Sequence, residues 1–87
     1  MDRKEDITRM TTIRDTAARF YTTLPQHQNG AIKTLLALRF NEAEAAEIAA
    51  CLTYKAGNGK LMVSRPSLSE LEAIMRGTIE TTIRTRR

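Results

Sequence analysis

Few residues in this chain are equipped for chemistry. It holds one histidine, one cysteine and ten carboxylates. His27 lies in the turn "PQHQNG", residues 25–30, and Cys51 in the run "EAEAAEIAACL". A structural zinc site takes four Cys or His ligands and a catalytic one takes three, so a single His and a single Cys assemble no zinc set. Ser64, Ser67 and Ser69 have no base beside them in sequence to activate a hydroxyl. Glu42, Glu44 and Glu47 cluster where a helix begins, and there they complement the helix dipole rather than form an acid–base pair. The expectation is a protein that is not an enzyme, with no catalytic residue, cofactor, metal or small-molecule substrate.

The stretch "YKAGNGKLMVSRP", residues 54–66, carries the most suggestive pattern. Aligning Gly59 with the central glycine of a calcium loop puts Tyr54, Ala56 and Arg65 at positions one, three and twelve. Calcium needs six to eight oxygens, several of them carboxylate, and only Asn58 offers one from a side chain. "AGNGK" also lacks the glycine spacing and the trailing Ser or Thr of a phosphate loop. A helix-turn-helix whose second helix spans 55–66 fails on Gly57, Gly59 and Pro66. One built from residues 31–40 and 42–54 puts three glutamates where phosphates would lie. Asn58-Gly59 is a hairpin signal and "KLMVS" has strand propensity. Against that stands a left-handed helix cap at Gly57, with an extended connector pinning Leu61 and Val63 into the core. The residues favour the cap and connector.

The flanking segments read as helices. In residues 6–24, Ile7, Met10, Ile13, Ala17, Phe20, Tyr21 and Leu24 recur every three or four positions. Glu5–Arg9 and Asp15–Arg19 are spaced as i,i+4 pairs. Pro25 and Gly30 break the pattern. A short apolar helix is expected over 31–40. Asn41 then caps the next helix, with Glu44 at the capping-box position and a Phe40–Ala45 staple. Ser67 and Glu70 open the last helix, whose stripe is Leu68, Leu71, Ile74, Met75, Ile79 and Ile83. Glu72–Arg76 and Glu80–Arg84 are spaced to support it, and Gly77 weakens it by up to about 1 kcal/mol.

The expected fold is therefore all-α: a bundle of about four helices in one domain, 1–87. A short extended or hairpin-like connector falls near 56–66, and 1–5 and 85–87 are frayed. A chain of 87 residues buries only about 60% of its unfolded surface, so oligomerisation is a common remedy. No stretch approaches the run of about 20 apolar residues that spans a bilayer. The opening "MDRKEDITRM" is charged with no apolar run behind it, so the expectation is a cytoplasmic protein without membrane association.

Binding is what remains. The first expectation is a small helical regulator or adaptor acting by protein–protein association, self-association included, through Leu71, Met75, Ile79 and Ile83. The alternative is a nucleic-acid binder, a transcription regulator of non-standard type. The net charge is +4, and Lys55, Lys60 and Arg65 in the loop, with Arg84, Arg86 and Arg87 in the tail, would meet the phosphates.

Overall fold

A computed structural model describes residues 3–85 of the protein, with side chains from residue 7 onward. Its elements run α1 (Arg3–Thr11), α2 (Ile13–Thr22), α3 (Gln28–Ala37), α4 (Glu42–Leu52), β1 (Thr53–Lys55), β2 (Leu61–Val63) and α5 (Leu68–Thr85). Among the described residues there are thus five helices and a two-stranded antiparallel hairpin, where about four helices and a short extended or hairpin-like connector were expected.

The extra helix comes from a break inside the first periodic segment. Thr12 sits between α1 and α2 with φ −96° and ψ 4°. The Thr11 and Thr12 hydroxyls both donate to the Thr8 carbonyl, at 3.0 and 2.8 Å. Such back-bonding by β-branched residues bends helices. The stripe nevertheless continues across the break, and Ile13, Ala17 and Phe20 are buried.

α3 starts three residues earlier than its apolar stripe. Extended His27 precedes it, and the His27 carbonyl accepts from the Ala31 amide at 3.1 Å. Gly30 packs closely on the preceding turn: a Cβ there would lie 3.1 Å from the Pro25 Cβ, so the proline would have to give by a few tenths of an ångström. α3 closes in a Schellman motif. The Phe40 amide donates to the Leu35 carbonyl and the Arg39 amide to the Leu36 carbonyl. Arg39 holds the left-handed position at φ 76°, where glycine is usual.

Asn41 caps α4 as expected. Its side chain accepts from the Glu44 amide at 2.8 Å, and Glu44 accepts from the Asn41 amide at 3.0 Å. Both staple residues, Phe40 and Ala45, are buried. Ser67 accepts from the Glu70 amide at 3.2 Å and so starts α5.

The stretch 54–66 is a hairpin, not a helix cap with a connector. The register pairs Thr53 with Val63, Tyr54 with Met62 and Lys55 with Leu61. The Gly59 amide donates to the Ala56 carbonyl and the Ala56 amide to the Lys60 carbonyl, each at 2.9 Å. The positive φ falls on Gly59, at 85°, not on Gly57. This is a three-residue loop closed by a left-handed glycine. β2 also pairs on its other edge: Met62 bridges His27, and the Val63 amide donates to the Gln26 carbonyl at 2.8 Å.

The core gathers Ile13, Ala17 and Phe20 of α2, Leu35 of α3, Ile48 and Leu52 of α4, and Leu71, Met75 and Ile79 of α5. Val63 packs at its edge, whereas Leu61, expected in the core, is 46% exposed. Among the described residues, no helix is long and apolar enough to cross a membrane.

Candidate partner-binding face

Helix α4 has two unlike sides. Glu44, Ala45, Ile48, Ala49 and Leu52 are buried. Ala43, Ala46, Glu47 and Ala50 form the opposite stripe and are exposed, as is Cys51 beside them. The outer face is thus small and apolar, with two carboxylates, Glu42 and Glu47, and no side-chain hydrogen-bond donor apart from the thiol.

Glu44, unlike its neighbours Glu42 and Glu47, faces inward, with its side chain 2% exposed. Arg9 of α1 donates to Glu44 Oε1 at 2.5 Å, and the Arg9 guanidinium carbon lies 6.0 Å from the Phe40 ring centroid. Burial pushes the Glu44 carboxyl up. The Arg9 guanidinium and the Asn41 amide outweigh it, and the net direction is down. Glu44 Oε2 has no hydrogen-bond partner among the described residues; the Thr82 hydroxyl donates to the Thr78 carbonyl at 3.1 Å. Sequence spacing assigned Arg9 to Glu5. The contact with Glu44 spans 35 positions and has no local signal.

The described basic residues of the nucleic-acid alternative lie on three separate segments. Lys55 and Lys60 are exposed at the hairpin tip. Arg65 is exposed beyond the hairpin base, about 16 Å along the chain from Lys60 at roughly 3.3 Å per residue. Arg84 is exposed in the last turn of α5, and Arg86 and Arg87 lie outside the described residues. The residues expected at a protein interface are placed inward: Leu71, Met75 and Ile79 are buried core and Ile83 is half-buried against it. Their stripe holds α5 against α2 and α4 and is not a free surface.

Residues 28–52 nonetheless form two helices joined by a four-residue turn, Leu38 to Asn41, and followed by the hairpin. The strand order places β2 between β1 and residues 26–27. That is the element order of a helix-turn-helix with a wing, a motif set aside in the sequence because glutamates stand where phosphates would lie. Only two of the three glutamates counted against it are at the surface. His27 is exposed at the α3 start, and no group of three or more His, Cys, Asp or Glu is gathered among the described residues. No protein-family model, curated protein or solved structure matches the chain.

Proposed function

We propose that this protein is a non-enzymatic cytoplasmic regulator or adaptor that works by protein–protein association, its own self-association included, through the outer face of α4 and the adjoining hairpin. The outer face of α4 carries the proposal. In a helix-turn-helix that reads DNA, the second helix presents donors to base edges and phosphates. Here that surface offers alanines and two carboxylates, which repel phosphate and suit a close-packed protein contact. Tyr54 and Leu61 add exposed apolar side chains, at 51% and 46%, one on each face of the hairpin.

The hairpin also favours a second reading. Lys55 and Lys60 project from its tip, where a wing touches a nucleic-acid backbone, and each phosphate contact would add to counterion release.

One double substitution separates the two. Ala46→Lys with Ala50→Lys puts cations on the outer face of α4 at small cost to the helix. For protein association, sedimentation equilibrium shows the wild type as a dimer or larger at micromolar concentration and the variant as a monomer. For nucleic-acid binding, the variant binds random duplex DNA more tightly, and Gln at Lys55, Lys60 and Arg65 lowers the slope of log K against log salt by about 0.9 per lost contact. A wild type that sediments as a monomer and binds DNA with a salt slope abolished by the triple Gln change would replace the first reading by the second.

A further inference from the structure

A groove of about 590 Å³ runs between the α1–α2 segment and the turn joining α3 to α4. That is within the size range of small-molecule sites. Buried Ile13, Phe40 and Ile79 are among its lining residues, together with half-buried Leu38. Its polar groups include Arg9, Arg19 and Arg39, with Asp15 as the one carboxylate.

The three arginines are not equivalent. Arg9 is committed through one nitrogen to Glu44. Arg19 and Arg39 are exposed and form no ion pair among the described residues; the expected Asp15–Arg19 pair is not made. With Arg9 neutralised by Glu44, the described lining holds two guanidiniums outside ion pairs and one aspartate, a surplus of positive charge. Two of the lining hydroxyls cannot supply donors: Thr12 donates to the Thr8 carbonyl and Thr16 to the Thr12 carbonyl, at 2.8 and 3.1 Å. The charged donors in the lining are the guanidiniums, whose planar forks suit carboxylate and phosphate oxygens, with the Thr8 hydroxyl beside them.

Arg39 adds an independent observation. It occupies the left-handed position of the α3 Schellman motif, φ 76°, which glycine takes without strain. Strained non-glycine residues concentrate at functional sites. The strained residue is here one that lines the groove.

We propose that this groove is a binding site for a small amphipathic organic anion. Its carboxylate or phosphate is held by Arg19 and Arg39, and its apolar body lies on Leu38, Phe40 and Ile79. The site is separate from the outer face of α4, and its test is independent of the oligomeric state. Its walls come from α1, α2, the end of α3, the α3–α4 turn and α5, so a bound anion bridges several elements. Occupancy raises the thermal midpoint, as any ligand specific to the folded state does.

Octanoate is a suitable probe and 1-octanol its uncharged counterpart, each titrated at low ionic strength into isotope-labelled protein with amide shifts as the readout. Octanoate is expected to saturate, moving the amides of Thr12, Thr16, Arg39 and Phe40, and to bind at least fivefold more tightly than octanol. Arg19→Gln with Arg39→Gln is expected to weaken octanoate at least tenfold, in line with the loss of two charge-assisted hydrogen bonds. Lys55→Gln with Lys60→Gln leaves it unchanged. Both pairs are exposed, and the amide spectrum of each free variant verifies its fold. Equal affinity for octanol and octanoate, undiminished binding in the Arg19/Arg39 variant, shifts centred on the hairpin, or no saturable binding would each overturn the proposal.

Discussion

Glu44 ties two parts of the molecule with one side chain, closing the α4 capping box and pairing with Arg9 of α1. Glu44→Gln keeps the size and an acceptor for the Asn41 amide but loses the charge facing Arg9. The expected cost at neutral pH is about 1.5–3 kcal/mol, the range for hydrogen bonds to charged groups. Because the folded carboxyl titrates below its ordinary value, its stabilisation is fully present above the unfolded value near 4.3 and is lost as pH falls through the lower folded value. Urea unfolding between pH 7 and pH 2 should show the wild-type advantage over Glu44→Gln shrinking across that acidic window. An advantage that stays constant with pH would mean the charge is not what stabilises the contact. Arg39 allows an opposite test. Glycine relieves the left-handed backbone, worth about 1–2 kcal/mol, but gains unfolded-state entropy. Arg39→Gly should therefore be neutral or stabilising by up to about 1 kcal/mol in urea midpoints, while Arg39→Val destabilises.

The hairpin is the element that composition left open. Its register points Tyr54 and Met62 to one face and Thr53 and Val63 to the other, with Val63 against the core. Val63→Ala should cost about 1–2 kcal/mol through lost burial. Leu61→Ala should cost less than about 0.5 kcal/mol, since Leu61 lies toward the exposed tip. A large loss at Leu61 with little at Val63 would contradict the register. Gly59→Ala forces a Cβ into φ 85° although no atom lies within 4 Å of it. The strain is local, about 1 kcal/mol, and should appear as faster hydrogen exchange at the hairpin amides with the helices unaffected.

Across the whole molecule, α5 is the element that closes the core. Leu71, Met75 and Ile79 are buried between α2 and α4, and the 18-residue helix lies along a body of 44 × 24 × 19 Å. Met75→Ala should cost about 2–5 kcal/mol. A domain of this size has a total stability of roughly 4–13 kcal/mol, so the change is a large fraction of the whole. The midpoint of chemical unfolding checks it; a loss under about 1 kcal/mol would mean the stripe is not core. Self-association, if it supplements this small core, must use other surfaces.

Local rules determined much of this protein from sequence alone. The Asn41 box, the Ser67 start, the Phe40–Ala45 staple and the apolar stripes of α2 and α5 depend on residues within a few positions of one another, and they formed where the residues placed them. The helix surplus and the candidate sites were decided elsewhere. Threonine hydroxyls competing for the Thr8 carbonyl split the first helix, a choice that periodicity does not record. The hairpin over the cap was decided by Gln26 and His27, which give β2 a second pairing edge and so satisfy backbone groups that a connector would leave to water. Tertiary packing turned the α5 stripe from a supposed interface into core, and turned Glu44 from a surface acid into Arg9's buried partner. The groove with Arg19 and Arg39 exists only because two distant segments meet across the core, and no spacing along the chain encodes that meeting.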